Sequence, residues 1–95
     1  MGAIGAVSAS KNDNMGTWFV NVSADVIPSS GESVFQQEYP RAVVLDESGN
    51  SMGSFLLSNT NGNTWSGSDM VSSEPNQVKV EAKFVTAKLE KMAPL

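Results

Sequence analysis

The chain has no cysteine and no histidine. The first absence excludes disulfides, thiol nucleophiles and thiolate metal sites. The second excludes imidazole ligands and every catalytic triad built around a histidine. Charged residues are sparse, at 17% of 95 residues, against roughly a quarter in ordinary globular domains. Cations are the scarcer sign: six Lys+Arg face ten Asp+Glu, for a net charge of −4. An acidic chain is a poor partner for nucleic acid, whose backbone is bound by Lys and Arg. No run approaches the ~18 apolar residues of a membrane span. The opening residues 1–10 (MGAIGAVSAS) are small and apolar, and Val7-Ser8-Ala9 has the look of a cleavage site, but no basic segment precedes it. We read the stretch as a first β-strand rather than a signal peptide. The lack of cysteine by itself leaves the compartment open.

What fills the gap is Ser, Asn, Thr and Gly, and Val outnumbers Leu by more than two to one. β-Branched residues between polar turns suit half-buried strands and not a helical bundle. The clearest strand is Thr17 to Ile27: Trp18, Val20, Val22, Ala24 and Val26 share one face, and Phe19, Asn21, Ser23 and Asp25 the other. Pro28-Ser29-Ser30-Gly31 stops it. Residues 33–39 (SVFQQEY) fit a short strand or a wide loop anchored by Phe35 and Tyr39. Residues 41–46 (RAVVLD) and 52–57 flank a tight turn at Glu47-Ser48-Gly49-Asn50 and read as a hairpin. Asn61-Gly62 is a strong type I′ turn signal, since both residues tolerate positive φ. Thr64 to Val71 is the next strand, anchored by Trp65. Gln77 to Leu89 reads as one closing strand, with Val78, Val80, Ala82 and Phe84 inward, Lys79, Glu81 and Lys83 on a solvated face, and a phase slip after Phe84. Ala87 to Met92 is the one weak helix candidate.

About seven strands with turn signals roughly every 8–12 residues predict an all-β fold, a single antiparallel immunoglobulin-like β-sandwich over 1–95. Residues 1–2 and 91–95 read as tails. The expected core is Val20, Val22, Val44, Trp65, Val78, Val80 and Phe84.

Chemical motifs are thin. Asp46 and Glu47 are adjacent, so on a strand they point to opposite faces and cannot flank one bond. Serines are many, but no motif pairs one with Lys11, Lys79, Lys83, Lys88 or Lys91. Residues 12–14 (NDN) and 46–50 (DESGN) are oxygen-rich yet do not fit a calcium-loop spacing, and Asx turns account for them. The glycines do not form a phosphate cradle leading into a helix. Asn21-Val22-Ser23 matches a glycan acceptor but lies mid-strand. No catalytic residue, metal or cofactor is expected.

Residues 44–50 (VLDESGN), 62–67 (GNTWSG) and 78–82 (VKVEA) resemble bacterial immunoglobulin-like and fibronectin-III-like modules over about 41–84. The resemblance implies a non-catalytic spacer or adhesion-type module of a larger extracellular, cell-surface or virion protein. Its partners would be proteins or neighbouring domains. The competing expectation is a carbohydrate-binding module that meets polysaccharide through Trp65, Tyr39 and the loop carrying Asn59, Asn61 and Asn63.

Overall fold

A computed structural model describes residues 2–85 and 87–95. Among them are eight strands: β1 (Ala3–Asn14), β2 (Thr17–Ile27), β3 (Arg41–Leu45), β4 (Ser51–Leu56), β5 (Ser58–Asn61), β6 (Thr64–Val71), β7 (Gln77–Lys83) and β8 (Lys88–Pro94). They form two antiparallel four-stranded sheets, in the orders β1-β2-β6-β5 and β4-β3-β7-β8. Each consecutive pair is a hairpin within one sheet, and the chain changes sheets between hairpins. These orders are A-B-E-D and C′-C-F-G, the arrangement of an immunoglobulin-like sandwich.

The period-2 pattern of β2 does what it predicts. Val20, Val22, Ala24 and Val26 are all buried, and they meet Ala42 and Val44 of β3 and Val78, Val80 and Ala82 of β7. All seven residues expected in the core are there. Trp18 shares their face but sits at the mouth of the sandwich, half-buried, with the Lys11 ammonium 5.7 Å from its ring.

Four sequence expectations need correction. Residues 77–89 are not one strand: β7 ends at Lys83, and β8 returns antiparallel beside it, pairing Gln77 with Pro94 and Lys83 with Lys88. Lys91 to Pro94 therefore belong to a sheet strand, not a tail, and the helix candidate at 87–92 lies mainly in that strand. Ala93 is in the core. Gly2 is buried too, where a Cβ would meet Phe84 Cε1 at 2.5 Å and the Ile27 carbonyl at 2.8 Å. Met1 and Thr86 lie outside the described residues. β1 runs on to Asn14, and only Met15 and Gly16 form the turn to β2.

Residues 28–40 resolve as a loop, tied to the sheet through the Val34–Phe84 bridge and the Phe35 amide, which donates to the Lys83 carbonyl at 2.8 Å. The passage from β4 to β5 is equally local. Leu57, 4% exposed, turns into the core and its amide donates to the Pro40 carbonyl at 2.8 Å. The crossing chain presses on Gly67 of β6, where a Cβ would stand 2.9 Å from the Leu56 carbonyl oxygen and 3.3 Å from Leu57 Cδ2. We expect Gly67→Ala to lower stability by about 1–3 kcal/mol, as forced overpacking does. The check is a reduced urea midpoint with an unchanged far-UV spectrum; an unchanged midpoint would mean the crossing yields freely.

Candidate interaction surface

The body measures 46 × 26 × 21 Å, and strand directions define two poles. At the proximal pole β1 begins, β2 and β7 end, and the 28–40 loop and the β5–β6 turn lie. At the distal pole are the β1–β2 turn, residues 46–50 and 72–76, and the end of β8.

The outer faces of the two sheets differ in chemistry. On the β1-β2-β6-β5 sheet, Ser8, Ser23, Ser66 and Ser58 align in one row across all four strands, with Ser10, Asn21 and Ser68 in the next. On the β4-β3-β7-β8 sheet, one row reads Leu56, Arg41, Glu81 and Glu90, and the next Ser54, Val43, Lys79 and Met92.

Glu81 departs from the expected solvated face, for it is 3% exposed. Arg41 Nε donates to its Oε1 at 2.7 Å. Lys88 Nζ lies 3.1 Å and Lys79 Nζ 3.8 Å from its Oε2. The Tyr39 ring stands 4.7 Å from the Arg41 guanidinium and 5.7 Å from the Lys88 ammonium. Burial alone would raise the Glu81 pKa, but hydrogen bonds from Arg41 and Lys88 outweigh it and hold the carboxyl below its ordinary 4.5. The same hydrogen bonds raise Arg41 and Lys88 above their ordinary values. The visible signal in the sequence was alternation of Lys79, Glu81 and Lys83. It could not show that Arg41 and Lys88 come from strands on either side.

Of the five residues expected to bind sugar, Asn59 stands opposite Trp65 in the β5–β6 pair, Asn61 and Asn63 belong to the same hairpin, and Tyr39 precedes β3 in the other sheet. Trp65 is 7% exposed and packs in the core, so its ring offers no open face for stacking. Tyr39 is half-buried between cations. The Asn59 amide donates to the Gly62 and Thr64 carbonyls at 3.0 and 3.1 Å, holding its own turn. Asn61 pairs with Thr64 across that turn, and the Asn63 carbonyl accepts from the Val26 amide at 2.8 Å.

At the distal pole, Asp46 Oδ1 accepts from the Ser48 and Asn50 amides, each at 2.9 Å, which is the Asx-turn use expected of it. A cleft of about 470 Å³ opens beside it, lined by Lys11, Glu47, Glu74 and Pro75 among others. Lys11 donates to Glu74 Oε2 at 3.1 Å and to the Pro75 carbonyl at 3.0 Å. At the proximal pole, a groove of about 290 Å³ is lined by Glu38, Arg41, Ser54, Phe55 and Leu56. Among the described residues no helix is long and apolar enough to cross a membrane. Comparison with protein-family models, curated proteins and solved structures finds no match to this chain.

Proposed function

We propose that this chain is a non-catalytic, in-line structural module of the immunoglobulin-like and fibronectin-III-like kind, set in a larger extracellular, cell-surface or virion protein. The observation that carries the reading is strand direction. β1 starts at the proximal pole and β8 finishes at the distal pole, so the polypeptide crosses the full long axis and neighbours joined to it would lie in series. The polar side chains support a scaffold more than a reaction centre. Asp46 and Asn59 hold turns, and Glu81 holds three cations. Protein partners or adjacent domains would meet the loops at the poles, as binding segments on a rigid sandwich do.

Two tandem copies in one chain test this reading. Small-angle scattering should show a particle lengthened by close to one 46 Å module. A compact, side-by-side pair would overturn it. Tryptophan emission separates the module from a sugar binder. A blue-shifted maximum, unmoved by soluble polysaccharides, is expected from buried Trp65 and half-buried Trp18. A red-shifted maximum that moves on titration would favour polysaccharide as the ligand.

A further inference from the structure

We propose that Asn61 is a self-modification site, where the side-chain amide is lost to the backbone of Gly62 and the β5 edge is loosened as a result. The reaction needs a side-chain carbonyl carbon, a following amide nitrogen able to reach it, and no side chain on that following residue to obstruct the approach. The chain has eight asparagines, and only Asn61 precedes a glycine. Gly62 has φ 56°, and a Cβ on it would meet nothing within 4 Å, so the turn stands open to water. Asn61 pairs with Thr64, which leaves Gly62 and Asn63 as the two turn residues and the Gly62 amide outside the ladder. Asn61 is exposed, and its side-chain amide meets no partner among the described residues. Asn59 is the contrast, since its amide is engaged by the Gly62 and Thr64 carbonyls.

The step balances with water as the sole co-reactant. The Gly62 nitrogen bonds to Asn61 Cγ, the Cγ–Nδ2 bond breaks, and the Gly62 amide proton ends on the departing ammonia. Water then opens the cyclic imide. Opening at Cγ leaves an ordinary aspartyl residue. Opening at the main-chain carbonyl leaves an isoaspartyl residue, whose chain runs on through Cγ. Either product takes the net charge from −4 to −5. Only the second lengthens the backbone, by one methylene where β5 enters its turn. A two-residue turn has no slack for it, because loop length sets hairpin register. β5 has little to resist with: four exposed residues at a sheet edge, and a register shift between Asn59 and Asn61. Few buried contacts make local opening cheap, and the same opening lets the Gly62 nitrogen swing toward Cγ. The two hydrogen bonds from Asn59 are the brake on it.

The test ages the folded chain in mildly alkaline buffer and follows it by peptide mapping, with fragmentation that tells isoaspartate from aspartate. Position 61 should convert first among the eight asparagines, as a mixture of both products, and faster as pH rises. Gly62→Ala and Asn61→Gln should each leave position 61 unconverted over the same period. The first strains a turn at positive φ and the second leaves Gly62 in place, so a block by both cannot be ascribed to misfolding. Asn59→Ala should quicken conversion about threefold to tenfold, the effect of releasing two exposed hydrogen bonds. Hydrogen exchange at Ser58–Asn61 should rise in the isoaspartyl chain. Asn61→Asp carries the charge without the extra methylene and should keep the parent's protection. Another asparagine converting ahead of Asn61, or an Asn61 amide that outlasts the ageing, would overturn the site. An Asn59→Ala rate equal to the parent's, or unchanged exchange of β5 in the isoaspartyl chain, would overturn its link to the β5 edge.

Discussion

Phe84→Ala should cost about 3–5 kcal/mol, the range for truncating a buried aromatic ring. Phe84 is 1% exposed and lies at the proximal end of the core, where β7 has just ended. Its ring fills the space against the Gly2 backbone, so close that even a methyl group there would collide. Its backbone bridges to Val34, and its amide donates to the Ala87 carbonyl at 2.7 Å. One residue, through its ring and its backbone, thus ties together three segments: the start of the chain, the 28–40 loop and the β7–β8 turn. Domains of this size hold about 5–15 kcal/mol in total, and each kcal/mol moves Tm by about 4–8 °C. The variant should melt tens of degrees lower or fail to fold. Chemical unfolding followed by circular dichroism measures it, with Val85→Ala as the control. Val85 is 80% exposed, and its truncation should stay within about 0.5 kcal/mol. A Phe84→Ala loss under 1 kcal/mol would mean the proximal end repacks around the gap.

The same residue shows where sequence reading succeeds and where it stops. Phe84 was legible as core because it keeps phase with Val78, Val80 and Ala82. Periodicity fixes which side of a strand is wet, and it did so for β2 and, Glu81 apart, for β7. It fixes length and pairing less well. The β7–β8 turn follows Phe84 without Gly, Pro or Asn, so its only trace was a slip in alternation, equally consistent with a bulge. β8 itself was divided, with Lys88 and Leu89 read into the closing strand and residues 91–95 as a tail, because an edge strand needs few apolar residues. β5 was hidden for a related reason. Ser58 to Asn61 are all polar and exposed, and what makes them a strand is pairing with β6, a tertiary fact.

The surface was less legible than the core. Tryptophan and asparagine near a turn suggested a sugar platform, but one sequence pattern serves two ends. Trp65 alternates into the core, and Asn59 satisfies the backbone of its own hairpin. Charge proximity was invisible altogether. Arg41 and Glu81 are forty positions apart and become neighbours only through β3–β7 register. The distal pole likewise gathers Asp13, Asp46 and Glu74 from three separate segments.

That register carries the second large expected effect. Glu81→Ala should lower stability at neutral pH by about 1.5–3 kcal/mol, the value of hydrogen bonds to charged groups. It should fall short of the 3–5 kcal/mol that follows when a buried charge is stranded. The partners of Glu81 keep access to water: Arg41, Lys79 and Lys88 side chains are 32%, 30% and 45% exposed and can rehydrate once released. The pH dependence has a definite sign. The folded carboxyl titrates below its ordinary 4.5, so the unfolded chain takes up the proton first as pH falls. The contribution is complete above the ordinary value and drains away as pH drops through the folded one. On the alkaline side, Lys88 is raised above 10.5, so its share is present below that value and lost only as pH climbs past the raised one. Urea midpoints measured from neutral pH into the acid range should fall for the parent chain. They should fall less for Glu81→Gln, which keeps the shape and gives up the charge. Arg41→Met combined with Glu81→Leu should recover much of the single-variant loss, because an apolar pair spares the desolvation of the carboxylate. An acid limb identical in the parent and in Glu81→Gln would mean the network spans β3, β7 and β8 without holding them together.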